Sequence, residues 1–411
     1  MTSLAPRRGF PKREFTDRLD RAQRAMAETG VDVLLLTTEA EVRYFSGFHT
    51  AFWQSPTRPW FLLVPRSGQP VAVIPAIGAA CMGQTWVSDI RTWASPCPGD
   101  EGVSLLVDAL LELAGSNGTI GLQQGPGTQL RMPLDDFQRV RQALPDSHWH
   151  DTTALLEALR AIKSPLEIAK IRHVCQAASK AFQRLPAEIT PGMTDIDLFR
   201  QFRQSCLESG VDEVNYLVGG VGNGGYADII APPTGHRLAF GDVMMLDTGC
   251  TYDGYFCDFD RNFALGTADS ATQEAYQRVW GATEAGLDAV RPGVTCSDVF
   301  VRMQSVLTQN DSPSGDSPSG HSPPGNAAPA NESSVGRLGH GLGMQLTEPP
   351  SLMADDHCVL RPNMVMTLEP GFAYAPGRLM VHEENLVVTE DGYELLSVRA
   401  ANTLPVVDWS S

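Results

Sequence analysis

The stretch MLDTGCTYDGYFCDFDRNF, residues 245–263, decides the fold of this chain. Asp247 and Asp258 each lie in an otherwise apolar run that is typical of a buried strand, and the turn-forming pair Asp253-Gly254 lies between them. A hairpin that turns at this pair places the two carboxylates opposite or diagonal to each other, with Cβ atoms about 5 to 8 Å apart. The sequence therefore predicts two carboxylates on neighbouring strands inside a sheet.

Two further acids and a histidine complete the pattern. In VMTLEPGFAYAPGRLMVHEENLVV, residues 365–388, Glu369 and Glu383 are equidistant from Pro376, so a hairpin turning there sets them across from each other. Between the two predicted hairpins, His340 is flanked by glycines in GRLGHGLGMQLTEPP, residues 336–350. Each acid alone is typical of a turn or a strand end, but the combination in this order is far more specific.

Four carboxylates and one imidazole that converge inside a sheet need a counter-charge. Like charges at such distances raise one another's pKa values, and burial adds to the cost. Divalent cations remove the repulsion, and oxygen ligands with a single histidine favour Mn²⁺, Fe²⁺ or Co²⁺ over a thiolate-type zinc site. Five ligands are enough for two ions about 3.5 to 4 Å apart, which would convert a bridging water to hydroxide at neutral pH.

Composition excludes several other classes of protein. The net charge of −17 over 411 residues argues against a nucleic-acid or anionic-membrane surface. No run of eighteen apolar residues is present, and the basic N-terminus has no apolar stretch behind it, so neither a membrane span nor a secretory signal is expected. The 8 cysteines are scattered without a CxxC pair, for which a reducing cytoplasm is the simplest setting.

The length favours two domains. Alternating helix and strand patterns predict a smaller α/β domain over residues 1–157. In LRAIKSPLEIAKIR, Ser164, Pro165 and Glu167 predict the capped start of a long helix, which opens a second domain over residues 158–411. A Pro-, Ser- and Gly-rich segment at about 309–335 predicts a disordered insertion, in which His321 is read as an ordinary loop histidine.

At this point the chain resembles a known family. The order Asp, Asp, His, Glu, Glu is similar to that of the pita-bread metallohydrolases, which include prolidase, aminopeptidase P, methionine aminopeptidase and creatinase. The matching stretches are LDTGCTYDGYFCDFDRNF, GHGLGMQLTEPP, MTLEPGF and VHEENLVVTEDGYELL. LRAIKSPLEIAKIR also resembles the opening of the catalytic domain in the prolidase and creatinase branch.

The resemblance implies an α+β protein with a C-terminal pita-bread (creatinase/aminopeptidase-like) domain and a smaller α/β N-terminal creatinase-like domain. It implies metal ligands at Asp247, Asp258, His340, Glu369 and Glu383, with Glu369 also acting as general acid/base. The expected enzyme is a metal-dependent hydrolase of a C–N (amide) bond, of the Xaa-Pro dipeptidase or aminopeptidase type, that uses a hydroxide held by a dinuclear metal centre. Mn is the first candidate metal, with Fe, Co or Zn as alternatives, and the resemblance also implies a homodimer.

Two family histidines are missing. One usually lies about seventeen residues before the first metal aspartate, and Ile230 aligns with it here; His236 lies six residues further on. The other usually precedes the glutamate of HEPP, where this chain has Thr347. These histidines are expected to handle the scissile amide, so their loss puts cleavage of proline peptides in doubt.

Several residues are candidates to replace them. Thr347 is retained as a catalytic candidate because of its aligned position. His382, beside Glu383, is another, although strand alternation points it away from the metal face, and Tyr255 is a candidate substrate contact.

In the first domain, HTAFWQSPTRPWF, residues 49–61, resembles an aromatic lid, in which Trp53, Arg58 and Trp60 are predicted to line a substrate pocket. The resemblance supports this reading, because in the family the N-terminal domain often reaches the active site of the partner subunit. Alternatively, these rings pack in the core of their own domain or in a dimer interface.

Other functions remain open. The missing histidines favour a small non-peptide amide or cyclic amidine as substrate, as in creatinase-like and ectoine-hydrolase-like relatives. A lyase, such as a dimethylsulfoniopropionate lyase, is disfavoured because those relatives carry an additional aspartate where this chain has Gly249. Binding proteins with this fold typically lose several ligands, whereas this chain retains all five.

Overall fold

The structure, a computed structural model, describes residues 4–55, 58–308 and 336–409. The chain divides into two compact units, one formed by Arg7–Arg160 and the other by Met1–Pro6 with Ala161–Ser411. The insertion predicted at about 309–335 lies outside the described residues, as does His321. No helix in the described parts of the chain is long and apolar enough to cross a membrane.

The first unit is an α/β arrangement around one mixed sheet. Its strands are β1 (Val33–Leu36), β2 (Phe61–Pro65), β3 (Val71–Pro75), β4 (Asp89–Trp93), β5 (Thr119–Leu122) and β6 (His148–Asp151). Its helices are α1 (Lys12–Thr29), α2 (Glu39–Ser46), α3 (Ala79–Met82), α4 (Val103–Ala114), α5 (Leu134–Ala143) and α6 (Thr153–Ala161). The strand order is β4-β3-β2-β1-β5-β6. Every residue of β1, β2 and β3 is buried, which explains why these strands are continuously apolar in sequence.

The second unit contains the remaining helices and strands. Its helices are α7 (Pro165–Glu188), α8 (Asp195–Ser209), α9 (Ser270–Ala289) and α10 (Cys296–Leu307). Its strands are β7 (Glu213–Asn223), β8 (Asp242–Tyr252), β9 (Tyr255–Phe256), β10 (Phe259–Leu265), β11 (His340–Gly341), β12 (Glu348–Ser351), β13 (Val365–Leu368), β14 (Gly371–Ala375), β15 (Arg378–Val381), β16 (Glu384–Val388), β17 (Tyr393–Leu395) and β18 (Val406–Val407). The sheets have the orders β18-β10-β8-β7, with β9 on β8, and β12-β11-β13-β16-β17, while β14 and β15 form a ribbon.

Helix α7 begins as its sequence predicts. The side chain of Ser164 accepts a hydrogen bond from the backbone N–H of Glu167, and the carboxylate of Glu167 accepts one from the backbone N–H of Ser164. Pro165 occupies the first helical position, where the absence of an N–H costs nothing. The predicted start of this helix is therefore confirmed.

The predicted turn at Asp253-Gly254 is also confirmed. Both residues have positive φ angles, 47° and 77°, as a two-residue hairpin turn of type I′ requires. Tyr252 pairs with Tyr255 across this turn. The same register continues into β10, where Asp260 lies directly opposite Asp247.

The C-terminal acids lie on a second long hairpin. Gly371 pairs with Val381 in the ribbon β14–β15, and Leu368 pairs with Glu384 between β13 and β16. Both pairs belong to one register, which places Glu369 opposite Glu383 at the junction of the ribbon and the larger sheet. The chain turns between Ala375 and Arg378, as predicted from Pro376.

The two faces of β8 are covered by different elements. Val243 and Met245 point to a buried apolar cluster that includes Tyr276 of α9 and Val299 of α10. The residues between Val243 and Met245 and their equivalents further along β8 point to the other face of the strand. That face lies toward α7, which contacts β8. Asp247 continues the row of Val243 and Met245, so it interrupts an otherwise apolar face.

Candidate metal centre

Three aspartates share one face of the β8–β10 hairpin. Asp247 and Asp260 are directly opposite each other, and Asp258 precedes β10 by one residue, so its place is diagonal to Asp247. Because side chains alternate along a strand, Asp258 and Asp260 point to the same side. Asp260 is buried and was missed by the sequence analysis, although the spacing in Asp258-Phe259-Asp260 was the signal that would have found it.

His340 and Glu383 meet Asp258 beneath this face. Each of the three residues offers one ligand atom, and these atoms all lie within 4.8 Å of one another. Nε2 of His340 lies 3.4 Å from Oδ2 of Asp258 and 3.8 Å from Oε1 of Glu369. Nδ1 of His340 lies 2.8 Å from the carbonyl oxygen of Gly341, to which it can donate. That hydrogen bond assigns the proton to Nδ1 and leaves the lone pair of Nε2 facing the carboxylates.

The carboxylates of the cluster are buried close together and are not neutralised by one another. Burial, together with repulsion among the carboxylates, raises the pKa values of Asp247, Asp258 and Glu383 well above their ordinary range. Burial lowers the pKa of His340, so its imidazole is held neutral. Among the described residues, neither Oδ1 of Asp247 nor Oε1 of Glu383 has a hydrogen-bond partner, although both atoms are buried. Oxygen atoms in this state fit divalent cations as their missing partners.

Glu369 differs from the other acids because it is paired with an arginine. Nε of Arg337 lies 3.1 Å from Oε1 of Glu369, and the two side chains are 34% and 24% exposed, respectively. The guanidinium also opposes the rise in the pKa of Asp258. No sequence pattern predicted a role for Arg337, although it lies three residues before His340 in the quoted motif.

Tyr216 is a further residue near the cluster that the sequence did not predict. It pairs with Gly249 on β8 and therefore lies on the face that carries Asp247 and Asp258. Burial raises the pKa of Tyr216, and the charges of Asp247 and Asp258 raise it further. A shift in register between Val214 and Tyr216 sets this alignment, and such a bulge is not readable from the strand pattern alone.

The two positions that align with the missing histidines carry exposed side chains, and the catalytic role of Thr347 stays a prediction. Thr347 is exposed just before β12, and Ile230 is 69% exposed. Nε2 of His236 lies 2.7 Å from Oδ2 of Asp242. Asp242 is five residues from Asp247 along β8, so the two aspartates are about 16 Å apart. His236 therefore does not take the place of a histidine at position 230.

His382 is held in a separate polar network. Its Nδ1 lies 2.9 Å from Oγ1 of Thr283, and its Nε2 lies 3.1 Å from Nη1 of Arg399. Burial lowers the pKa of His382 to about 3, so the ring is neutral. Both ring nitrogens are engaged outside the carboxylate cluster, and the catalytic role predicted for His382 is not retained.

Tyr255 also points away from the cluster. Its hydroxyl group donates a hydrogen bond of 2.9 Å to Oε1 of Glu167 on α7. Residues 255, 257 and 259 alternate with Asp258 along the chain, which places Tyr255 on the opposite face of the hairpin. The substrate contact predicted for Tyr255 is not retained for this reason.

The aromatic loop of the first unit packs within that unit. The rings of Trp53 and Trp60 are buried and lie 6.0 Å apart, and both contact Phe48. The guanidinium of Arg131 lies over Trp53 and donates to the carbonyl oxygens of Trp53 and Arg58. These contacts match the alternative of a domain core, and a substrate role for Trp53, Arg58 and Trp60 stays a prediction.

Comparisons with known protein families cover most of the chain. Residues 169–391 match the model of metallopeptidase family M24. Residues 18–162 match the creatinase/prolidase N-terminal domain.

Known relatives extend over nearly the full length. The probable dipeptidase PepE of Mycobacterium tuberculosis (strain ATCC 25618 / H37Rv) is 28% identical over 387 residues, which covers 94% of this chain and 95% of the relative. The Xaa-Pro dipeptidase of Lactobacillus helveticus is 24% identical over 380 residues, which covers 92% and 95%.

Solved structures agree with this assignment. Dipeptidase PepE from Mycobacterium ulcerans has a TM-score of 0.80 and 27% identity, covering 97% of this chain and 99% of that one. Prolidase from Thermococcus sibiricus has a TM-score of 0.83 at 19% identity, covering 97% and 100%, a likeness of fold alone.

These matches confirm the predicted fold class and the predicted type of enzyme. The protein has a creatinase-like N-terminal domain and a pita-bread C-terminal domain, and it is a metallohydrolase whose activity depends on divalent metal ions. The chain belongs to metallopeptidase family M24.

Proposed function

We propose that this protein is a dipeptidase of the Xaa-Pro type whose reaction depends on two divalent metal ions, with Mn²⁺ as the first candidate. The observation that carries the proposal is that two buried carboxylate oxygens, Oδ1 of Asp247 and Oε1 of Glu383, have no hydrogen-bond partner in the part of the chain that the structure describes, while Nε2 of His340 is left without a proton. The dipeptidase and Xaa-Pro dipeptidase relatives support a dipeptide as substrate.

Asp247, Asp258, His340, Glu369 and Glu383 would hold the two ions. Cations bound there would lower the pKa of a water molecule and polarise the scissile carbonyl group. The raised pKa values of Asp247, Asp258 and Glu383 favour this assignment, because burial and mutual repulsion raise them and bound cations would offset both effects. The number of ions and the identity of all five ligands are proposed here together.

Glu369 is the proposed proton carrier. Its side chain is 24% exposed, whereas that of Asp258 is 7% exposed, so Glu369 is the more accessible of the two to a substrate. Its carboxylate would take a proton from the attacking water and deliver it to the leaving nitrogen of the amide. The backbone N–H of Glu369 donates to the carbonyl oxygen of Leu338, which fixes the position of the Glu369 backbone from which the side chain extends.

Arg337 and Tyr216 are the proposed substrate contacts. The hydrogen bond of Arg337 to Glu369 uses Nε, and within the described residues its two terminal nitrogens remain for the carboxylate of a dipeptide. Tyr216 keeps its proton because burial and the neighbouring carboxylates raise its pKa, so its hydroxyl group is a hydrogen-bond donor. It would donate to the substrate carbonyl in place of the histidine missing at position 230.

A small non-peptide amide or cyclic amidine is the second candidate substrate, in the manner of a creatinase-like or ectoine-hydrolase-like enzyme. The exposed side chains at Ile230 and Thr347 favour it, since neither supplies an imidazole to the amide. A lyase activity is a weaker candidate, because Gly249 offers no carboxylate.

The substrate test uses the full chain, stripped of metal and reloaded with Mn²⁺. We expect hydrolysis of Xaa-Pro dipeptides, weaker hydrolysis of the matching Xaa-Pro amides that lack the free carboxylate, and no activity after chelation. Preference for cyclic amides over dipeptides would select the second candidate. Full turnover by the stripped protein, with no gain from Mn²⁺, would contradict a metal-dependent reaction.

The assembly and the cellular setting are further parts of the proposal. We propose a homodimer in the cytoplasm, with domains divided near residues 157 and 158. Light scattering of the purified full chain tests the dimer, for which a mass of twice 44.5 kDa is expected.

A further inference from the structure

A second cluster of potential ligand atoms lies where α10 begins. Cys296, Asp356 and Cys358 each place one such atom within 4.8 Å of the others. Thr295 and Val359 form an antiparallel bridge, and the backbone N–H of Cys296 donates to the carbonyl oxygen of Cys358 at 2.9 Å. Residues that face each other in this way have Cα atoms about 4.5 to 5.5 Å apart, which lies within the range that disulfides span.

We propose that Cys296 and Cys358 form a site of reversible oxidation, at which a peroxide converts the two thiols to a disulfide. The proposal is independent of the peptidase reaction, since neither cysteine belongs to the carboxylate cluster.

The two sulfur atoms differ in accessibility in a way that suits this chemistry. Cys358 is partly exposed, and Cys296 is buried at the first position of α10. A hydrogen bond from the thiol of Cys296 lowers the pKa of Cys358 to about 7. A thiol with a pKa near the ambient pH attacks most effectively, because it combines a large thiolate fraction with high nucleophilicity. Cys358 is therefore the attacking residue, and Cys296 is the resolving one.

The reaction balances with a hydroperoxide as the only oxidant. The Cys358 thiolate attacks one peroxide oxygen, the O–O bond breaks, and the leaving hydroxide is protonated to water, which gives a sulfenic acid on Cys358. The Cys296 sulfur, after losing its proton to solvent, then attacks the Cys358 sulfur and expels hydroxide, which becomes the second water. Two thiols are oxidised by two electrons, and one hydrogen peroxide is reduced to two waters.

The disulfide would connect segments that lead to the metal centre. Asp356 accepts hydrogen bonds from the backbone N–H groups of Ser351, at the end of β12, and of Cys358. Ser351 pairs with His340 on β11. The bond would therefore tie the start of α10 to the segment between β12 and β13.

Four of the six remaining cysteines serve as internal controls. Cys250 contacts both Cys206 and Cys257, but all three are fully buried, so peroxide does not reach them readily. Cys97 is exposed and provides a matched control for simple surface oxidation. Selective oxidation of the 296–358 pair would therefore reflect its geometry rather than general thiol reactivity.

The test treats the full-length protein with stoichiometric hydrogen peroxide and maps its peptides by mass spectrometry. We expect a crosslinked 296–358 peptide that dithiothreitol reverses, and a midpoint of thermal unfolding raised by about 5 °C or more. Cys358→Ser and Cys296→Ser should abolish both results, whereas Cys97→Ser should leave them unchanged. Cys296→Ala provides a second variant if serine at this buried position prevents folding.

Two outcomes would overturn the proposal. One is overoxidation of Cys358 without a crosslink to Cys296. The other is a soft metal ion, such as Zn²⁺, that copurifies with the protein, depends on both cysteines and prevents crosslinking, since the pair would then be a metal site.

Discussion

Glu383 and Glu384 are neighbours in sequence, are both buried, and have opposite electrostatic environments. Glu384 accepts hydrogen bonds from Arg261 at 2.9 Å, from Arg399 at 3.2 Å and from the backbone of Ala400 at 2.9 Å. Burial raises the pKa of Glu384, but the charge of Arg261 and the hydrogen bonds from Ser397 and Ala400 together outweigh burial, and the pKa is lowered. Glu383 has an oxygen without a partner among the described residues, and burial raises its pKa.

The difference between the two residues distinguishes structural carboxylates from ligands. A buried carboxylate that the protein itself neutralises stabilises the fold, whereas one that the protein leaves unmatched is a candidate ligand for a cation. Strand alternation assigns the two residues to opposite faces, so neighbouring positions supply both a proposed ligand and a structural ion pair.

The largest expected effect comes from Glu383→Gln. We expect activity to fall by about 10²- to 10³-fold or more, because a ligand charge is lost from the centre. The free energy of unfolding of the metal-free protein should stay the same or rise, because repulsion is relieved. Steady-state kinetics and urea unfolding in the presence of a chelator measure the two effects. The exposed Glu390→Gln is the matched control.

Glu384→Gln should mainly lower the free energy of unfolding, in contrast to Glu383→Gln. It leaves Arg261 and Arg399 without a buried counter-charge, which is expected to cost about 3 to 5 kcal/mol of the free energy of unfolding. Urea unfolding with and without chelator measures this loss. The comparison fails if Glu383→Gln destabilises the metal-free protein more than Glu384→Gln does.

The pH dependence of stability provides a further contrast. In the metal-free protein the raised pKa of Glu383 makes its contribution to stability greatest below the ordinary glutamate pKa of about 4.3, and this contribution is lost as the pH rises through the raised value. Glu384 behaves in the reverse way, since its contribution is present above the ordinary pKa and is lost as the pH falls through the lowered value. In the metal-free protein we expect the midpoint of thermal unfolding to decline between pH 4 and pH 8. Glu383→Gln should make this decline smaller, and added Mn²⁺ should do the same in the unmodified protein. A decline that neither change affects would contradict this account.

Arg337→Gln tests whether the guanidinium recognises a substrate carboxylate. We expect KM for a dipeptide to rise by about 10- to 100-fold while KM for the matching dipeptide amide changes little, because a charge-assisted hydrogen bond contributes about 1.5 to 3 kcal/mol. Arg378→Gln is the control, since Arg378 is similarly exposed and pairs with Asp269 on the surface. Equal losses with both substrates would assign Arg337 to the positioning of Glu369 instead.

The smallest effect is expected from Tyr216→Phe. Removal of one neutral hydrogen-bond donor should lower kcat by about 3- to 10-fold, with metal content unchanged. Kinetics combined with elemental analysis measure both quantities. A loss of bound metal in this variant would show that Tyr216 supports the ligands rather than the substrate.

The sequence was sufficient to predict the two hairpins, because local rules govern them. Asp253-Gly254 encodes its turn, and the spacing of Glu369 and Glu383 around Pro376 encodes their pairing. The capping box of α7 was readable for the same reason.

Contacts that depend on tertiary packing were not predictable in this way. Tyr216 reaches the cluster through a register shift in β7, and Arg337 reaches Glu369 from a loop whose course no periodicity describes. The orientation of His382, in contrast, follows the strand alternation that its sequence predicted, and Tyr255 obeys the same rule.

Anomalous X-ray diffraction from crystals soaked in Mn²⁺ tests the central claim most directly. The account predicts two peaks about 3.5 to 4 Å apart, in contact with Oδ1 of Asp247 and Oε1 of Glu383, and none beside Glu384. Well-ordered crystals without an anomalous peak at either oxygen atom would contradict it.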